Sequence, residues 1–144
     1  MTRKTKGHYR TKHPPGTAPN PRLLEEIRIH SLGNSLPCVD AMKIARERSV
    51  GPVEVGRTAD LIEVRISRCQ LGLFGYEPEK RIVKPLPSLT QNLITAIRDR
   101  LISGRLPCAT AFALAEEFSL SRLTVSSACE TLGIKICSCQ LGAF

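Results

Sequence analysis

The chain repeats itself. Cys-Gln-Leu-Gly stands at 69–72 and again at 139–142, and Leu-Pro-Cys at 36–38 and again at 106–108, both at an offset of 70 residues without a gap. At the same offset Leu23, Ile27 and Arg28 match Leu93, Ile97 and Arg98. Ala41, Ala45, Glu47, Ser49, Val55 and Ile66 match Ala111, Ala115, Glu117, Ser119, Val125 and Ile136, and Phe74 matches Phe144. Two anchors in register over so long a stretch mark a duplicated module, one copy over 21–74 and the other over 91–144. Whatever fold one copy takes must suit the other. Between them, residues 75–90 hold three prolines and a mixed charge cluster, which reads as a linker.

With 144 residues, of which 42% are hydrophobic, the chain can bury a core; with no Trp and 4% aromatic residues, that core is aliphatic. No apolar run approaches the ~20 residues of a membrane helix, and the basic N-terminus lacks the apolar segment of a secretory signal. The expectation is a soluble, cytoplasmic protein with no membrane partner. The formal charge is +8, of which +5 falls on Arg3, Lys4, Lys6, Arg10 and Lys12 within the first twenty residues, where no acid offsets it. Residues 1–20 read as a basic flexible arm, either a polyanion contact or a solubilising tail.

Each copy carries the pattern of three helices followed by a short strand or hairpin. In the second, Leu93, Ile94, Ile97, Leu101 and Ile102 form one helical stripe, stopped at Ser103-Gly104. In the first, Leu23, Leu24 and Ile27 repeat the stripe and Gly33 stops it. Ala111, Leu114, Ala115 and Phe118 line a second helix that breaks at Ser119-Leu120. Ser121 is placed to cap a third, which carries Val125, Ala128 and Leu132 and ends at Gly133. The alternation after it, Ile-Lys-Ile-Cys-Ser-Cys, reads as a strand that puts Cys137 and Cys139 on one face. A small residue where two helices cross (Ala45, Ala115), a turn four residues on (Ser49, Ser119) and a β-branched packing residue (Val55, Val125) complete the spacing of a helix-turn-helix in both copies. The turn usually carries Gly; here both copies carry Ser. The expected class is mainly α, with two tandem helix-turn-helix, winged-helix-like modules.

Residues 96–136 resemble the winged helix-turn-helix of the GntR-type bacterial regulators, most specifically over Leu-Ala-Glu-Glu-Phe-Ser-Leu-Ser-Arg-Leu-Thr-Val at 114–125. The resemblance implies a DNA-binding fold and a role in bacterial transcription regulation, with double-stranded DNA as partner. The stretch before the second helix is shorter than in that family, no effector domain follows, and the wing is truncated. Ligand response is therefore not carried over.

A recognition helix offers its N-terminal residues and its outward face to the major groove. In the second module these are Ser121, Arg122, Thr124, Ser126 and Ser127. Arg122 suits a bidentate contact with guanine, and the hydroxyls suit phosphate oxygens or base edges. Against this stands the simpler role of Ser121 as a cap and of the serines as solvated surface. The first module's helix holds Gly51, Pro52 and Gly56, with Glu54, Asp60 and Glu63 to repel phosphate, which leaves Arg57 as its one candidate contact. Arg3, Lys4, Lys6, Arg10 and Lys12 of the arm add contacts that carry no sequence information.

Six cysteines without an export signal argue against a disulfide framework. Cys38, Cys69, Cys108 and Cys139 are shared by the copies and could supply the four thiolates of a zinc or iron–sulfur site, whereas buried cysteine is also a common core residue. The packing reading is preferred, and no cofactor is expected. The chain reads as a sequence-specific DNA-binding transcriptional regulator, a homodimer or a pseudo-dimer within one chain. The alternative is a protein-interaction or cysteine-based metal- or redox-sensing module on the same fold. No catalytic residue is expected: His8 and His13 lie in the tail, His30 stands alone, and no Ser or Cys has an evident base.

Overall fold

In the computed structural model, which describes residues 8–144, the chain is mainly α. Arg3, Lys4 and Lys6 lie outside the described residues. The first set of elements is α1 (Pro21–His30), β1 (Ser35–Pro37), α2 (Cys38–Glu47), α3 (Pro52–Leu61) and β2 (Arg65–Ser67). The second is α4 (Gln91–Asp99), β3 (Leu106–Pro107), α5 (Cys108–Glu117), α6 (Arg122–Leu132) and β4 (Ile136–Cys137). Among the described residues no helix is long and apolar enough to cross a membrane.

The duplication reaches the level of single hydrogen bonds. Asn20 caps α1 by accepting from the Arg22 N–H, and Thr90 caps α4 by accepting from the Leu93 N–H. Both α2 and α5 end in the same reversal. Ser49 and Ser119 take left-handed φ values of 54° and 53°. The Val50 and Leu120 N–H groups then reach back to the Ala45 and Ala115 carbonyls at 3.0 and 2.9 Å. This is a Schellman turn with serine where glycine is usual. A left-handed serine costs roughly 1 kcal/mol, offset by carbonyls that would otherwise be unpaired and by burial of Ala45 and Ala115 beneath the turn.

The strands differ from a wing. β1 pairs with β2 in parallel, Leu36 opposite Ile66, and β3 pairs with β4 in parallel, Leu106 opposite Ile136. A parallel pair needs a crossover of a dozen residues or more, which the two intervening helices supply. The expected strand after the third helix is therefore present, while a wing hairpin is absent among the described residues. The chain turns away from each second strand at a left-handed residue, Arg68 (φ 48°) or Ser138 (φ 54°). That turn also corrects the expectation of a common strand face for Cys137 and Cys139, because β4 ends at Cys137.

The chain divides into two units whose boundaries cut through the repeated motif. One unit runs to Cys69 and includes Leu141–Ala143; the other is Gln70–Gln140 with Phe144. Each unit thus takes its Cys-Gln-Leu-Gly leucine from the opposite sequence repeat, and both Leu141 and Leu71 are fully buried. In the first unit Leu141 joins a core of Leu23, Ile27, Leu36, Ile44 and Val55; in the second Leu71 joins Ile97, Leu106, Leu114 and Val125. Gly56 on α3 is what admits the first of these: a Cβ there would fall 1.7 Å from the Leu141 carbonyl oxygen.

The segments read as arm and linker are not slack over the described residues. Residues 8–20 lie along α3. A 3-10 turn at Tyr9–Lys12 buries Tyr9, and the Tyr9 and Arg10 N–H groups donate to the two Glu63 carboxylate oxygens, each at 3.0 Å. Arg10 also donates to the Leu61 carbonyl at 3.1 Å. Residues 78–90 stand at the same offset and lie along α6 in the same way. Arg81 pairs with Glu130, the Leu86 N–H donates to the Thr131 hydroxyl at 2.7 Å, and Val83 is buried. A strap of this kind precedes the first helix of each unit, so the repeat extends further back than the matched residues show.

Candidate nucleic-acid interface

The first turn of α6 is built as the spacing predicts. The Ser121 hydroxyl accepts from the Thr124 N–H at 3.0 Å and lies 2.7 Å from the Thr124 hydroxyl, which closes the helix start. The capping role is therefore filled. Arg122 follows at the first helical position, half-buried, with its guanidinium carbon 4.2 Å from the Phe112 ring centroid on α5. One of its amino groups donates to the Gln70 side-chain carbonyl. Stacking on a ring and a hydrogen bond in the plane fix the fork's direction, and the remaining N–H groups stay available. Thr124 is half-buried beside it.

The outward face assigned to α6 needs correction. Ser126 and Ser127 are 2% and 6% exposed, and neither can reach a groove as the helix stands. Val125 to Cys129 are all buried, which no helix packed on a single side achieves. The physical reason is the second cover. Against α5, the helix turns Val125 and Ala128 inward; over the rest lie residues 70–90, with Gly72 close to Leu123 and the Arg81 and Leu86 contacts further along. The Ser126 hydroxyl has no hydrogen-bond partner among the described residues.

In the first unit the corresponding contacts are spent on the fold. Arg57 pairs with Glu54 three residues before it on α3. Arg10 holds the strap, and Lys12 reaches the Asp60 carboxylate at 3.1 Å and the Gly142 carbonyl at 3.1 Å. His13 completes the cluster at 2.8 Å from the same Asp60 oxygen. Asp60 itself is 6% exposed, so a lysine and a histidine of the strap converge on one buried carboxylate. That latch is not legible in the sequence, because His13 and Lys12 stand in a stretch without periodicity and Asp60 reads there only as an acid that repels phosphate.

Among the described residues no cysteine is joined in a disulfide. Cys38 and Cys69 fall in the first unit, Cys108, Cys129, Cys137 and Cys139 in the second. Cys38, Cys69 and Cys108 are buried, and the Gln140 amide donates to the Cys108 sulfur at 3.5 Å. Burial pushes the Cys129 thiol up to about 11, with Glu130 adding to the effect, so it holds its proton at neutral pH. No group of three or more His, Cys, Asp or Glu able to hold a metal ion occurs among the described residues.

No family model, curated protein or solved structure matches the chain.

Proposed function

We propose that the protein binds double-stranded DNA and acts in transcription regulation, with the first turn of α6 as the element that reads bases. The observation that carries this reading is the Arg122 fork. It stands at the start of the second helix of a tight two-helix turn, half-buried and held in direction by Phe112 and Gln70. An α-helix enters the major groove with its N-terminal residues foremost, and an oriented arginine there suits guanine. Thr124 sits beside it for a phosphate or base contact, while the covered remainder of α6 serves as scaffold. The net charge of +8 supports a polyanionic partner.

Arg122→Ala is expected to weaken binding to the preferred duplex by about 1–3 kcal/mol, the worth of a bidentate base contact, and to leave non-specific binding nearly unchanged. Selection of sites from a random duplex library, followed by anisotropy titration of the best site and a scrambled one, measures both. Equal discrimination by wild type and variant removes α6 as the reader.

A protein-interaction role is favoured by the surface of α3. α3 carries no free cation on its first turn, its Val53 is 59% exposed, and its Arg57 is paired locally. On this reading the first unit contacts a protein and the second contacts DNA.

A further inference from the structure

Most residues shared by the two repeats have an evident structural use. The shared aliphatic residues fill the cores, and Ser49 and Ser119 make the left-handed turns. Glu47 pairs with Lys43, and Glu117 with Arg100. Phe74 and Phe144 pack edge to face at 6.0 Å, Gln70 receives Arg122, and Gln140 donates to Cys108. Arg28 and Arg98 stand apart. They are identical, occupy the last turn of α1 and of α4, and are exposed in both units. Among the described residues neither side chain has an ion-pair or hydrogen-bond partner. Their neighbours have diverged freely: Ile29 against Asp99, Glu25 against Thr95, His30 against Arg100.

A second exposed feature recurs four residues on. Leu32 and Ile102 each open a tight two-residue hairpin, closed on Ser35 and Arg105 by paired backbone bonds of 2.7 and 3.2 Å in one unit and 2.7 and 3.0 Å in the other. Leu32 is 67% exposed and Ile102 64%. A large aliphatic side chain kept in water at the same place in both copies stabilises neither core.

We propose that Arg28 with Leu32, and Arg98 with Ile102, are two copies of one DNA-backbone contact, the arginine on a phosphate and the aliphatic tip against the neighbouring deoxyribose. Charge complementarity selects the occupant: the free group at each site is cationic, and phosphate is the anion that repeats along a duplex. The proposal rests on the DNA-binding reading but uses a different surface from α6. It assigns non-specific affinity to the ends of α1 and α4, in place of the strap residues Arg10 and Lys12, whose side chains are already held by the Leu61 carbonyl and the Asp60 carboxylate.

The test is anisotropy titration of a fluorescent random-sequence duplex with the full chain over a range of NaCl concentrations. Each phosphate contact contributes about 0.9 to the slope of log affinity against log salt, so R28Q/R98Q should lower that slope by about 2. R22Q, an exposed charge that the second repeat lacks, should lower it by much less. L32S/I102S should weaken binding and leave the slope intact. An unchanged slope in R28Q/R98Q overturns the proposal and leaves the DNA-binding reading standing. An equal effect from R22Q also overturns it, since charge alone would then suffice. A fall in thermal stability with unchanged DNA binding would reduce the arginines to a helix-end role. Absence of any wild-type binding at low salt removes both the proposal and the reading. Independently of variants, arginine modification of the wild-type chain by phenylglyoxal, read by mass spectrometry, should show duplex DNA protecting Arg28 and Arg98 but not Arg22; equal labelling with and without DNA overturns the assignment.

Discussion

The helices α3 and α6 hold the same place in the two repeats and are covered by different means. Over α3 lies a strap fastened by charge, with Lys12 and His13 on Asp60 and two backbone N–H groups on Glu63. Over α6 lies a strap fastened by one exposed ion pair, one hydroxyl and the buried Val83. The helices differ in step. α3 begins Gly-Pro-Val and uses Gly56 to accept a backbone carbonyl, whereas α6 begins Ser-Arg-Leu and carries Ser126 at that position. The difference teaches that duplication preserved the scaffold and released the first helical turn. In one copy that turn is a cap and an oriented arginine, and in the other a proline and a local ion pair.

The sharpest way to break the comparison is at Gly56. Gly56→Ala must displace the Leu141 backbone and is expected to cost about 3 kcal/mol, the upper part of the range for overpacking a core. Ser126→Ala at the equivalent position removes an unpartnered hydroxyl and should change stability by less than about 1 kcal/mol. Urea unfolding of both variants measures the contrast, and equal costs would show that the two helices are covered alike.

A second contrast lies at Cys129, whose place in the first repeat is taken by Ala59. The buried thiol is raised from 9.0 to about 11, so the unfolded chain loses its proton first as pH rises. Its contribution is complete below pH 9 and is lost progressively toward pH 11, on the order of 2 kcal/mol in all. Stability measured across that interval should fall in wild type, and Cys129→Ala should remove this component of the slope. Persistence of the whole slope in the variant would place its cause elsewhere.

The smallest effect separates the straps. Asp60→Asn should cost about 1 kcal/mol and expose residues 8–20 to limited proteolysis, because Lys12 and His13 both converge on that carboxylate. Glu130→Gln should cost under about 0.5 kcal/mol, as expected for a pair with both members well exposed. Proteolysis at the same rate in wild type and Asp60→Asn would show that charge does not fasten the first strap.

These contrasts explain what could be read in advance. Ser121 as a cap, Gly133 as a stop and the serine turns follow from local chemistry, which a short window of residues contains. Burial of Ser126 and Ser127 depends on a cover supplied by residues far away in the chain. Helical periodicity reports only one packed face. The straps share a single identical position, Pro15 with Pro85, since backbone and charge contacts tolerate exchange that a packed core does not. The parallel strands escaped because three residues of pairing in one unit and two in the other impose no pattern beyond that of any short extended segment. At Cys139 the alternation misled, because Ser138 turns left-handed and the strand ends before it.

The placement of Leu141–Ala143 in the first unit has a consequence for how the protein is made. A chain leaves the ribosome from its N-terminus, at about 5–20 residues per second. The first unit has the rest of its chain once Cys69 has emerged, yet it must wait for roughly seventy further residues before its last core leucine arrives. During those several seconds, about 4 to 14 at that rate, the surface around Gly56 stands open. The half made first waits for its closing leucine until the second repeat is almost complete, and a message cut short before Leu141 leaves it without one.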